Sequence, residues 1–312
     1  MVAKEKDEMV AVAPLMMSKY SAAFCNMKKI EFIGTPTSDY NIFILRDNKL
    51  DYVKSILDYL VQRSDWDIIE LRDIPETAAS LKFLKEIAVS SSQKFKGEIS
   101  TCSICPYLPL PSSFEVFMKN MSKNRRWRLK NNLAKLKANY KVELKSYSDF
   151  GSVREAMEAL IKLHQERWES KRMPGMLASS DIQNFHMEVA EKFAQKGWLG
   201  LYFLTADGQP ISGEHSFEYN KKIYHYLTGL SPSFLEYRVG HLMLLSVLES
   251  GIKRGFNEID MLRGEEPYKT EWGAINRKNF KIRFIGKGLI PRIYDWASKS
   301  HTIRSTIRKF KL

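Results

Sequence analysis

Between residues 198 and 229 the sequence holds three short strand-like runs: WLGLYFLT (198–205), ISGEHSFEY (211–219) and IYHYLTG (223–229). The runs are separated by ADGQP and NKK, so the pattern predicts three antiparallel strands joined by tight turns. The period then changes. A loop with Pro232 is followed by helical spacing from about Val239 to Arg254, a strand NEIDML (257–262), a short helix around 266–272 and a last strand NFKIRFIG (279–286). A helix that crosses over between two strands makes them parallel neighbours, whose ends can splay and leave a cleft for a ligand. The expectation is an α/β (α+β) chain of mixed sheets flanked by helices.

The first hundred residues also read as mixed α/β. KIEFI (29–33), NIFIL (41–45) and DIIEL (67–71) are strand-like, and 49–63 and 76–91 have helical periodicity. The proline cluster in CPYLPLPSS (105–113) breaks the pattern and gives the domain boundary, with residues 1–112 before it and 113–312 after. Ser113 can cap a helix, or the first of a helix pair, that opens the second part and continues through the basic stretch NRRWRLKNNLAKLKANY, 113–139 in all. Further helices are expected at 152–171 and 182–196, with MPGMLASSD (173–181) as a loop able to border a site.

Charge is divided unevenly. Residues 1–120 hold 15 Lys+Arg against 16 Asp+Glu, and residues 121–312 hold 34 against 20. A second half of that sign attracts phosphates, nucleic acid or an anionic membrane surface. Cys102 and Cys105 form a lone C-x-x-C without the second pair or histidines of a zinc site, so no metal is expected. The stretch VAVAPLMM, interrupted by Pro14, is a poor secretory signal, and no run reaches the roughly 18 apolar residues of a membrane-spanning helix. The expectation is a cytoplasmic protein, able to sit at the inner face of a membrane.

The strand and helix order resembles the GNAT fold of N-acetyltransferases, and more specifically ADGQPISGEHSFEYNKKIYHYLTGLSPSF…YRVGHLMLLSVLESGIKRGFNEIDMLRGEEPYKTEW resembles the CelD/BcsL-type predicted acetyltransferases of polysaccharide and cell-envelope pathways. DMLRGEEPYKTEW (260–272) matches the family signature closely, with Met261 in place of the usual Phe. The likeness covers about 105–290, and it implies tandem GNAT-like domains with the N-terminal copy degenerate. It also implies an acyl-CoA donor, acetyl-CoA among them, and a sugar or envelope-precursor acceptor. The helix opening carries Arg238-Val239-Gly240 where the family often has Ser-Pro-Gly. Fem-type transferases, which use the same fold twice and take aminoacyl-tRNA as donor, are the alternative, and a non-enzymatic nucleic-acid-binding module around 123–137 is another.

Acyl transfer needs a base, donors for the oxyanion and an acid for the departing thiolate. The resemblance assigns donor contacts to the backbone of Tyr226, Leu227, Thr228 and Gly229 and to the helix opening at Arg238, Val239, Gly240 and His241. Glu214 and His215 are adjacent on a strand, so at most one faces the cleft as base; His215 alternates with Ile211 and Phe217, whereas Glu214 falls with Ser212 and Ser216. Asp260 is a further catalytic candidate, or a cap for the next turn, and Tyr268 can protonate the thiolate. Arg263, Glu266 and Lys269 are candidates for substrate, as are Arg167 and Trp168, since aromatic rings stack on sugars. Ile303, Ile307 and Phe310 in the basic C-terminal tail have the spacing of a helix that rests on an anionic membrane or docks on its own protein.

Overall fold

Alternation in the first 32 residues makes more strands than the sequence reading expected: β1 Val2–Glu5, β2 Glu8–Val12, β3 Leu15–Ala22 and β4 Cys25–Phe32. The VAVAPLMM stretch is divided between β2 and β3, with Pro14 in the gap where no ladder needs its missing N–H. Of NIFIL only β5, Ile44–Leu45, pairs, against Ala11 and Val12 of β2. Helix α1 Asp51–Gln62 buries Val53, Ile56, Leu57 and Leu60 and carries the chain to β6 Ile68–Pro75, which lies parallel to β4 from Lys29↔Ile68 to Glu31↔Glu70. Helix α2 Ala79–Val89 and β7 Phe95–Pro109 follow.

This computed structural model describes residues 1–22, 25–63, 65–90, 95–289, 291, 292 and 295. It divides into two compact units, Met1–Cys105 with Arg277–Leu312, and Pro106–Asn276. The second unit opens with α3 Phe114–Asn120 and α4 Lys123–Asn139, each capped by a serine hydroxyl, Ser113 on Val116 N and Ser122 on Arg125 N. Next come β8 Val142–Ser146, α5 Val153–Glu169, α6 Ser180–Gln195, β9 Leu199–Ala206, β10 Gln209–Tyr219 and β11 Lys222–Leu230. A 3-10 turn, Pro232–Tyr237, leads into α7 Val239–Lys253, then β12 Glu258–Asp260 and α8 Pro267–Glu271. The last strand, β13 Ile275–Gly286, pairs antiparallel with β6 from Asn279↔Pro75 to Ile285↔Ile68.

That pairing alters the domain division read from the sequence. The boundary at 112/113 assigned everything after it to one domain, whereas β13 from Arg277 onward is part of the first unit. The tail residues Ile303, Ile307 and Phe310 lie outside the described residues. In the first unit the strand order is β3-β4-β6-β13-β7, with α1 and α2 packed on a core that includes Phe32, Leu57, Leu71 and Phe284. In the second unit residues 106–109 of β7 lead the order β7-β12-β11-β10-β9-β8.

The second unit has three layers. On one face α7, with α3 and α4, buries Met243, Leu244, Val247 and Leu248 against Ile223 and Ile259. On the other, α5 and α6 bury Met157, Leu160 and Met187 against Leu201, Phe203 and Leu227. Apolar faces on both sides of a sheet require this arrangement. Helix α5 lies so close to β11 that a Cβ on Gly229 would fall 2.6 Å from Leu163 Cβ and 2.8 Å from His164 N, so only glycine fits.

Candidate functional site

Parallel pairing of β11 with β12 lasts only from Lys222↔Glu258 to Tyr224↔Asp260, although β11 runs on to Leu230. Beyond Asp260 the chain stays with β7, Met261 N donating to Pro106 O, and then turns at Leu262, whose φ is +55°. The two strands therefore part after Tyr224. At the same point β11 carries an extra residue, Tyr226, between the partners of His215 and Ser216.

Four side chains gather beside this parting. Glu214 of β10 is fully buried; neither of its carboxylate oxygens makes a hydrogen bond, and Oε1 lies 2.7 Å from His225 Nδ1, out of line for one. His225 comes from β11, opposite Ser216. Arg167 reaches from α5 to donate from Nη1 to Thr228 Oγ1 at 3.2 Å. Tyr268 of α8 is half-buried, and burial, with the Glu266 and Glu214 carboxylates, raises the pKa of its phenol against the opposing charge of Arg167. A buried carboxylate without hydrogen bonds is expensive to keep, which makes Glu214 a candidate for chemistry at this point.

The remaining signature residues build the turn. Asp260 is fully buried and its Oδ1 accepts from Leu262 N at 2.9 Å, so it caps the turn after β12. Lys269 is 3% exposed; its Nζ donates to the carbonyls of Leu262, Arg263 and Gly264 at 3.1–3.2 Å and meets Glu266 Oε2 at 3.0 Å. It has no donor left for a substrate. Burial raises Glu266, but Lys269 outweighs it and holds the carboxyl below its ordinary value, with His225 adding to the effect. Arg263 is half-buried beside them.

His215 points the other way, toward α5 and α6, among His186, Phe217 and Tyr226. Burial pushes its pKa down to about 3, so it is neutral, and both ring nitrogens lack partners. The sequence placed it with Ile211, but Ile211 is the extra residue of a bulge opposite β9 and joins the α7 core instead. Tyr226 and Leu227 both pack on the α5 side. Trp168 donates from Nε1 to His164 Nε2 at 2.9 Å and stacks near the loop at Gly175, so its indole N–H is already taken.

At the opening of α7, Arg238 sits at φ +52° and ends the 3-10 turn without a side-chain cap. Val239 is in the core and Gly240 lies against Leu230. His241 stacks on Trp272 at 6.1 Å; burial lowers its pKa, followed by Arg125, Arg238 and Arg128, with Glu271 opposing. Arg125 is itself buried, over the Trp272 ring at 5.0 Å and paired to Glu271 at 2.5 Å. A helix start ringed by three arginines suits an anionic group. Two cavities lie elsewhere: one of about 310 Å³ beside α5 and α6 at Lys162, Gln165 and Gln183, another of about 190 Å³ at the far end of β11 near Asn220 and Arg254. Neither touches the buried carboxylate, so strand geometry and charge locate the site better than enclosed volume does.

Residues 123–270 match the family Acetyltransf_6, described as an acetyltransferase (GNAT) domain. This segment has the fold of a GNAT-type acyltransferase. Among solved structures, FemX shares 12% identity over 90% of this chain and 86% of its own, with a TM-score of 0.59. L-PGS from Bacillus licheniformis shares 9% over 90% and 83%, with a TM-score of 0.53. A conserved protein of unknown function from Bacteroides thetaiotaomicron shares 7% over 88% and 84%, also at 0.53. Identities this low speak to fold alone. Comparison with curated protein sequences finds no match. Within the GNAT-type segment, His225 is the residue that sequence reasoning missed. Its alternation with Ile223 is visible in the sequence, but only the pairing with β10 puts it on the face of Glu214.

Proposed function

We propose that this chain transfers an acyl group, acetyl in the simplest case, from acyl-CoA to an amine or hydroxyl of a sugar or cell-envelope precursor. The observation that carries the reading is the buried Glu214–His225 pair, with Tyr268 and Arg167, at the point where β11 and β12 part. The donor's thioester lies in the parting against the backbone of Tyr226 to Gly229, and its phosphates face Arg125, Arg128 and Arg238 at the start of α7. The acceptor nitrogen or oxygen attacks the thioester carbonyl carbon and gives its proton to the Glu214–His225 pair. The carbon–sulfur bond then breaks, and Tyr268, kept protonated at neutral pH, returns a proton to the thiolate. Arg167 stabilises negative charge on the way. Asp260, Lys269 and Glu266 hold the turn that carries Tyr268, and His215 takes no part. No metal enters this chemistry. Among the described residues no helix is long and apolar enough to cross a membrane, and we place the reaction on the cytoplasmic side, where envelope precursors are assembled.

The likeness to FemX supports a second reading, a Fem-type transferase with aminoacyl-tRNA as donor. Both use the same carbonyl chemistry, so the donor decides. Thermal shift and calorimetry with acetyl-CoA, longer acyl-CoAs, free CoA and bulk tRNA separate them. A ligand at a hundred times its Kd stabilises the folded state by about 2.7 kcal/mol and raises Tm by several degrees. Saturable stabilisation by acyl-CoA without a comparable tRNA effect is the expected result. Stabilisation by tRNA alone would replace the first reading with the second.

A further inference from the structure

Helix α4 has two faces of different character. Arg125, Leu129 and Leu136 are buried, while Lys123, Trp127, Lys130, Ala134 and Lys137 are all exposed. At about 100° per residue these five positions fall within about 80° of arc, and Lys123 to Lys137 spans about 21 Å, so they form one straight row. Trp127, near its middle, is 64% exposed. Between Glu115 and Glu143 there are nine Lys and Arg and no acid. The ion pairs of the stretch are Arg125–Glu271 and Lys141–Glu143; among the described residues Lys123, Arg128, Lys130, Lys135 and Lys137 have no acidic partner. Neither the fold nor the chemistry above uses this row.

We propose that the exposed row of α4 docks the protein on an anionic lipid surface. A membrane presents negative charge in a plane, and a straight row on a convex, rigid helix meets a plane along its whole length. The cations of the row are all lysines, whose flexible ammonium groups act as point charges toward headgroups; arginine, the residue suited to forked recognition of phosphates and bases, occurs here only at the buried position 125 and on the flanks. A tryptophan among lysines is the pairing found at bilayer interfaces, where the ring enters the headgroup layer and the ammonium groups stay in water. Single-stranded nucleic acid would call for a groove with several stacking rings, and this row presents one ring, Trp127. A donor with phosphates at one end only would not need a row this long. The inference deepens the acceptor half of the proposed function, since a membrane-bound protein meets membrane-bound precursors. It stands on the helix face alone, so its test needs neither donor nor turnover.

The test is co-sedimentation of the full chain with phosphatidylcholine vesicles, with and without about 30% phosphatidylglycerol, at low and high salt, with bulk tRNA as a parallel ligand. The expected result is binding to anionic vesicles that salt weakens and neutral vesicles do not show. Each lysine at the surface contributes about fivefold, so Lys123→Gln, Lys130→Gln and Lys137→Gln together should lower partitioning roughly a hundredfold. The triple Lys→Arg variant should keep it, and Trp127→Ala should weaken it severalfold without any change of charge. Circular dichroism confirms that these exposed substitutions leave the fold intact. No binding to anionic vesicles, equal binding to neutral ones, or full binding by the triple Gln variant would overturn the proposal. Tighter binding to tRNA than to vesicles at equal phosphate, lost in the same variant, would make the row a nucleic-acid face instead. Failure here leaves the acyl-CoA result untouched, so the two readings fail separately.

Discussion

Replacing His215 by Phe should make the chain more resistant to mild acid. The imidazole is fully buried among Phe217, Tyr226 and His186, has no hydrogen-bond partner, and is held neutral by burial with a pKa of about 3. In the unfolded chain the same ring titrates near 6.5. Between those values the unfolded state binds the extra proton, so stability falls as pH drops below 6.5 and the loss continues until the folded value is reached. At pH 5 the difference is about 2 kcal/mol relative to pH 8. His164, buried beside Trp168 and lowered to about 4, adds a similar amount with the same sign. Carboxylates held below their ordinary value, such as Glu70 and Glu266, lose their contribution only below about pH 4.5, so the window from 6.5 to 5 belongs to the histidines. Urea titrations followed by tryptophan fluorescence at pH 8 and pH 5 give the answer. The wild-type midpoint should fall between the two pH values by about 1 M more than that of His215→Phe, for a slope near 2 kcal/mol/M. Taking the difference within each variant cancels any packing change that the ring introduces. An equal fall in both proteins would mean that His215 is solvated or hydrogen-bonded in the folded state, and the argument for its neutrality would collapse.

Gly229→Ala should destabilise the second unit by about 1–3 kcal/mol, because the new methyl meets α5 at distances no side chain can relieve; an unchanged urea midpoint would put α5 farther from β11 than described. Tyr268→Phe should lower kcat by about 10²-fold or more while leaving Tm in place, and Glu214→Gln should lower it with a changed pH profile. Wild-type turnover in both would remove the cluster from the chemistry. The donor and vesicle experiments complete the set.

Most of the second unit was legible because its strands are short apolar-rich runs whose turns carry Asp-Gly and Asn-Lys-Lys; β9, β10, β11, α7 and β12 fall within a few residues of their expected places. What failed was local to bulges and to long-range pairing. Alternation carried through Ile211 assigned the wrong face, since one extra residue inverts every side chain beyond it. His225 stayed unseen because its value lies in a partner on another strand, 2.7 Å from Glu214 Oε1, and register cannot be read from one strand. β13 was assigned to the wrong unit for the same reason, as nothing in NFKIRFIG announces that it pairs with residues some two hundred positions earlier. β1 and β3 were missed because edge strands with exposed faces lack the apolar signature of a core, and β2 because it is only five residues long with two buried side chains.

The charged stretch 260–272 resembles a list of catalytic groups, yet Asp260, Lys269 and Glu266 are engaged in holding its own turn. Asp260 captures Leu262 N, the left-handed Leu262 turns the chain, and Lys269 folds back onto three carbonyls of that turn with Glu266 balancing its charge. An ammonium buried among four acceptors fixes the path from Asp260 to α8 far more tightly than an apolar contact would, because any movement of the turn would strip it of partners. Trp272, packed between Phe117 and His241, anchors the other end. Between these two anchors stands Tyr268, delivered toward Glu214 on the sheet and Arg167 on α5. In the mechanism proposed above, a signature rich in acids and bases has one reacting side chain, and Asp260, Lys269 and Glu266 are the mount that holds its phenol where the strands part.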